Sequence, residues 1–192
     1  QYEFNPRLEM HIQGQLNHGR TLNIYRTFPN LSVTANVAIH GWLLSLENEY
    51  KKKGKLPDII YQQVDGGSEN VSKTMLAICE MLVSRRLTKK VVLSRLPVGH
   101  THEDIDGVFG VIWQKLMDFT VYTPQKYNEI LKLSLIGRKQ EEVGDVVDLW
   151  SVPDYDGYLR KFVNPHLERY AKLQWTQLQI FFECVDVSAR HP

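Results

Sequence analysis

The chain has 192 residues, with 23 Lys+Arg against 22 Asp+Glu, 43% hydrophobic and 23% charged residues. That is enough for one domain, or one and a fraction, with a proper core, and it excludes a disordered tail, a collagen-like rod and a coiled coil. A formal net charge of +1 gives no global argument for nucleic acid, so any basic surface has to be local. Two cysteines, Cys79 and Cys184, are too few and too scattered for a disulfide framework or a paired-cysteine metal site, which makes a reducing compartment the default. No apolar run reaches the roughly 18 residues of a membrane span. No signal peptide is visible, and a start at Gln1 reads as a fragment or a processed product.

The opening stretch reads as a hairpin: Leu8 to Leu16, a turn at Asn17-His18-Gly19-Arg20, then the alternating β-branched and aromatic run Thr21 to Phe28. Thr34 is placed to cap a helix whose apolar positions are Val37, Ile39, Leu43, Leu44, Leu46 and Tyr50. Lys51, Lys52 and Lys53 suit its negative end as a solvated run, with a phosphate contact the minority reading, and Gly54 stops it. Asp58 to Asp65 is a buried strand ending at Asp65-Gly66-Gly67-Ser68, with Ser68 the expected cap of a helix marked by Val71, Met75, Ile78, Cys79 and Leu82. Lys89 to Leu96 is a second strand of the same kind. A polar turn over His100 to Asp106 follows it, then a helix over Val108 to Phe119. Thr123-Pro124 starts a short helix through Leu135, Gly137 to Asp145 reads as a loop, and Trp175 to Val185 as a strand.

Strands alternating with helices imply an α/β fold, a mixed sheet flanked by helices. The expected organisation is a core over 1–121 and an aromatic-rich extension over 122–192 packed on it. Ligand sites in such sheets lie at the carboxyl ends of parallel strands, and acids stand at two of them: Asp65, and the group Glu103, Asp104 and Asp106.

His100-Thr101-His102-Glu103-Asp104-Ile105-Asp106 packs two imidazoles and three carboxylates into seven residues. Such a cluster has to face water, other ions or a cation. The plain reading is a solvated helix start, with Thr101 as cap and Glu103 and Asp104 favouring the dipole. A zinc hydrolase reading takes His100, His102 and Asp104 as ligands, as in metallo-β-lactamases, but Ile105 stands where the next His belongs, and later ligands would have to come from His166 or His191. Gly99-His100-Thr101-His102 also matches the last motif of calcineurin-like phosphoesterases, whose upstream motifs this chain lacks. A third reading joins Asp65 to the cluster: carboxylates on two strand ends hold Mg²⁺ or Mn²⁺, hard cations that serve phosphodiester chemistry.

Leu56-Pro57, Tyr61-Gln62-Gln63-Val64-Asp65, Ser68-Glu69-Asn70-Val71-Ser72-Lys73, and Leu96-Pro97-Val98-Gly99-His100-Thr101-His102-Glu103-Asp104-Ile105-Asp106 with Phe109 resemble a poorly characterised eukaryotic family of transposon-derived, ribonuclease-H-like proteins. Trp175 to Phe182 adds to the likeness, which runs from about Gly14 to Asp186. The resemblance implies a DDE-type transposase or integrase domain for DNA cleavage or strand transfer. Asp65 and Asp106 would be its catalytic acids, Glu103 would join them as metal ligand, and His100, His102, Asp104, Glu69 and Asn70 would support them. Gly66 replaces the Asn usual in relatives after the Asp. The superfamily's first acid lies on a strand before the hairpin, and neither Glu3 nor Glu9 stands in that setting, so it is expected upstream of Gln1 or lost.

Lys73, Arg85, Arg86, Lys89 and Lys90 are the candidate nucleic-acid contacts, although a solvated turn explains the last four equally well. His18 reads as turn chemistry, with facing the site as the lesser alternative, His40 as a partly exposed helix residue rather than a ligand and Cys79 as a buried small hydrophobe. DNA is the expected partner, with homo-oligomerisation open, no membrane, and an intracellular, nuclear location. The rival readings are a domesticated, non-catalytic module that binds nucleic acid or protein, and the zinc hydrolase.

Overall fold

The computed structural model describes residues 9–64, 72–95, 104–136, 141–161 and 179–183, the side chains of 145 and 179–183 excepted. The chain is mixed α/β, and it divides into two compact units interleaved in sequence: one from 1–32 and 101–151, the other from 33–100 and 152–192.

In the first unit, β1 (His11–Asn17) and β2 (Thr21–Thr27) form an antiparallel hairpin with Asn17 opposite Thr21. Gly19 takes φ +65 in the turn, where a side chain would be strained, and the Arg20 amide donates to the Asn17 carbonyl at 2.9 Å. α3 (Asp104–Met117) and α4 (Pro124–Ser134) cover one face of the sheet. Leu22 and Ile24 of β2 meet Val108 and Ile112 of α3 and Tyr127 and Leu131 of α4 in one core. Thr123 caps α4, its hydroxyl accepting from the Lys126 amide at 3.1 Å, with Pro124 in the first turn as expected. β5 (Glu142–Leu149) then pairs parallel with β2.

In the second unit, α1 (Ala35–Lys53) ends at Gly54, whose φ of +72 lets its amide close the last turn on the Tyr50 carbonyl at 2.7 Å. β3 (Ile59–Val64), α2 (Lys73–Ser84) and β4 (Lys90–Arg95) make a β-α-β unit with parallel strands, and β6 (Gln179–Glu183) adds antiparallel to β4. Ile39 and Trp42 of α1, Ile60 and Val64 of β3, Met75, Ile78, Cys79 and Leu82 of α2, and Val91 and Leu93 of β4 share its core. A further helix, α5, is described over 155–161 and contributes Leu159. Both sheets thus mix parallel and antiparallel pairs, with β1 and β3 at their edges.

Three boundaries differ from the sequence expectation. α2 is capped by Ser72, whose hydroxyl accepts from the Met75 amide at 3.1 Å, rather than by Ser68, because its buried stripe begins at Thr74 and Met75. α3 already includes Asp104 to Gly107, ahead of Val108, since acids are favoured in a helix's first turn. The expected loop over Gly137 to Asp145 gives way to β5 from Glu142. The edge of β2 supplies backbone partners that no local pattern announces. Two strands of the expected 122–192 extension, β5 and β6, are members of the two sheets.

Candidate functional site

Of the acidic cluster, Asp104, Ile105 and Asp106 fall within the described residues. Asp104 and Asp106 stand exposed in the first turn of α3, where the helix dipole favours carboxylates. That turn is placed by a close approach to β1. A β-carbon added at Gly14 would lie 2.7 Å from Ile105 Cδ1 and 2.9 Å from Phe109 Cζ, so any other residue there would push the ends of both side chains aside. On the hairpin turn, His18 Nδ1 lies 3.7 Å from an Asp104 carboxylate oxygen, both side chains largely in water. The turn is latched to the start of β5: the Gly19 amide donates to Glu141 Oε1 at 3.3 Å and the Glu142 amide to the Arg20 carbonyl at 2.8 Å. His18, read from sequence as turn chemistry, is therefore also the imidazole beside the acids of α3.

Asp65 is the residue after Val64, the last of β3. Asp65, Glu69, Asn70, His100, His102 and Glu103 lie outside the described residues, as do the other zinc-ligand candidates His166 and His191. Among the described residues no group of three or more His, Cys, Asp or Glu side chains is placed to hold a metal ion.

The candidate nucleic-acid contacts do not share one place. Lys73 opens α2, next to its cap, whereas Arg85 and Arg86 follow its end, separated from Lys73 by a helix of 12 residues. At about 1.5 Å per residue that is about 18 Å. The turn after α2 is a two-bond helix stop. The Leu87 amide donates to the Leu82 carbonyl at 3.0 Å and the Arg86 amide to the Val83 carbonyl at 2.9 Å. Arg86 takes φ 57 at the position where such stops ordinarily carry glycine, at a cost of about 1 kcal/mol.

Residues 1–182 match the profile of a domain of unknown function, DUF7869. The chain belongs to the DUF7869 family. No curated protein and no solved structure matches it.

Other polar groups of this DUF7869 domain carry clear structural duties, and sequence reading had not singled out Arg26, Thr74, Asp154 or Asp156 among them. Arg26 is 1% exposed. Its Nε and Nη2 donate to the two carboxylate oxygens of Asp148, each at 2.9 Å, and Nη1 donates to Asn128 Oδ1 at 2.8 Å and to the Pro124 carbonyl at 3.1 Å. Its guanidinium also lies 5.4 Å from the Phe28 ring centre. The available signal was a charge inside a strand of buried type, which has to be paired. In the second unit, Asp154 caps α5 by accepting from the Gly157 amide at 2.9 Å. The Thr74 hydroxyl donates to Asp156 at 2.6 Å and, with Arg160 alongside, holds its carboxyl below the usual range. His40 Nδ1 lies 2.8 Å from the Tyr155 hydroxyl, and burial lowers the imidazole's pKa. Cys79 is fully buried, which pushes its thiol up and removes it from chemistry.

The described residues of the domain include no helix long and apolar enough to cross a membrane.

Proposed function

We propose that the domain is a ribonuclease-H-like, transposase- or integrase-related catalytic unit that cleaves or transfers DNA phosphodiesters with Mg²⁺ or Mn²⁺. One observation carries the reading. An antiparallel hairpin and a helix precede a parallel β-α-β unit, with Asp65 directly after its first strand and Asp106 in the opening turn of the helix after its second. That is the order in which this fold presents its later acids.

The donor set fits the cations proposed: carboxylate oxygens are the hard ligands that Mg²⁺ and Mn²⁺ prefer, and Asp106 is exposed on a helix turn set in place by Gly14. Asp65 and Asp106 would hold them, with Glu103 beside. When bound, such cations supply an activated water or 3′-hydroxyl and stabilise the leaving oxygen. The chain's own contribution is placement. The contact of Ile105 and Phe109 with Gly14 sets the start of α3 against β1, and His18 Nδ1 stands 3.7 Å from an Asp104 carboxylate oxygen.

Titration of Mn²⁺ into the full-length protein, with a nicking assay on supercoiled DNA, tests this reading. Binding and nicking are expected in the wild type, and both should be lost in Asp65→Ala and in Asp106→Ala. Retention of either in both variants would overturn the assignment. Bound zinc in active protein would instead favour the His100, His102 and Asp104 reading.

A further inference from the structure

One end of the second unit gathers cations that the linear sequence keeps apart. Residues 47–58 and 85–90 hold eight basic side chains against three carboxylates, in a chain whose net charge is +1. The two segments are tied together at the start of β3. The Lys89 and Lys90 amides donate to the Asp58 carbonyl at 2.9 and 3.0 Å. The hydroxyl of Thr88, itself 5% exposed, reaches the Pro57 carbonyl at 2.8 Å and the Asp58 carbonyl at 2.9 Å. Lys89 Nζ pairs with Asp58 at 2.7 Å, and Lys55 acts on the same carboxylate, which is held below its usual range. Lys51, Lys52 and Lys53 end α1 just before this junction, exposed like Arg85, Arg86 and Lys89.

We propose that this basic end is a second nucleic-acid contact, holding the phosphate backbone of a DNA duplex away from the acid-bearing strand ends. The proposal takes the identity of the polyanion from the catalytic reading above. β3 separates the two places: the cations sit at its start and Asp65 follows its end, six residues on. At about 3.3 Å per residue that is about 20 Å, or roughly half a turn of duplex. The cations therefore grip DNA flanking the reacting phosphate and take no part in the chemistry. Arg86 holds the left-handed position of the turn after α2, exposed beside Arg85 and Lys89. A membrane surface suits this end poorly. Helices that lie on membranes present an apolar face to lipid, whereas Ile39 and Trp42 of α1 are buried in the core.

The test is fluorescence anisotropy of a labelled duplex with the full-length protein in EDTA, so that binding is read without metal chemistry. Arg85→Gln/Lys89→Gln is expected to weaken binding by about an order of magnitude and to lower the slope of log affinity against log salt by about 2. Arg86→Gly is expected to weaken binding while raising the melting temperature by about 2–4 °C, a combination that excludes loss of fold as the cause. Wild-type affinity and slope in both variants would overturn the proposal. So would a wild type that ignores the duplex, whether or not it binds phosphatidylserine vesicles. Binding that depends on these side chains while Mn²⁺ binding and nicking fail would reject the catalytic reading alone.

Discussion

Two arginine-bearing regions of the molecule use the same side chain in opposite ways. Arg26 in the first unit is sealed from water, and its guanidinium joins β2, β5 and the start of α4 through Asp148, Asn128 and the Pro124 carbonyl. Arg85 and Arg86 in the second unit lie in water, and the turn beneath them is fixed by backbone bonds and by Thr88. In the first region the charge is part of the architecture. In the second the architecture is complete without it, and the charge is available to a partner.

The largest expected effect breaks the first region. Asp148→Asn leaves a buried guanidinium without its counter-ion and should cost about 3–5 kcal/mol in urea unfolding, and Arg26→Met should cost less because the carboxylate it strands is partly in water. Arg26→Lys should recover only part of this, because an ammonium cannot span both carboxylate oxygens while bonding Asn128. Gly14→Ala comes next. It drives a methyl group into Ile105 and Phe109 at about 1–3 kcal/mol, and on the proposed function it should lower nicking more than duplex binding by shifting the turn that carries Asp106. Thr88→Val tests the other region's support and should cost about 1–2 kcal/mol, since it removes the buried donor to the Pro57 and Asp58 carbonyls. Arg85→Gln should change stability by less than about 0.5 kcal/mol while weakening duplex binding, and a larger loss would erase the contrast drawn here.

A pH scan sharpens the comparison within the second unit. Burial lowers the His40 pKa, so the unfolded chain takes up the proton first. The stability tied to the neutral ring is complete above the unfolded value of about 6.5 and is lost as pH falls through the lower folded value. Melting temperature should therefore drop on acidification below about pH 6.5, and the drop should be smaller in His40→Gln.

The hairpin turn, the end of α1 at Gly54 and the Thr123-Pro124 start of α4 were legible in sequence because each is decided by neighbours in the chain. What escaped was decided at a distance. β5 carries Glu142 and Gly144, which read locally as a loop, and it becomes a strand by pairing with β2, where its Asp148 supplies the counter-ion of Arg26. For the site, the motif led to Asp104 and Asp106, but the roles of His18 and Gly14 follow from packing across 86 to 95 residues of chain, which no spacing encodes.

The bond between Arg26 and Asp148 spans 122 positions, and most of the second unit's sequence lies between them. During synthesis at roughly 5–20 residues per second, Arg26 leaves the ribosome roughly 6–25 seconds before its counter-ion exists. Through that interval β2 has neither its parallel neighbour nor a partner for its charge, while β3, α2 and β4 can already assemble. A ribosome stalled ahead of residue 148 would hold an arginine-bearing strand paired to β1 alone, without its parallel neighbour.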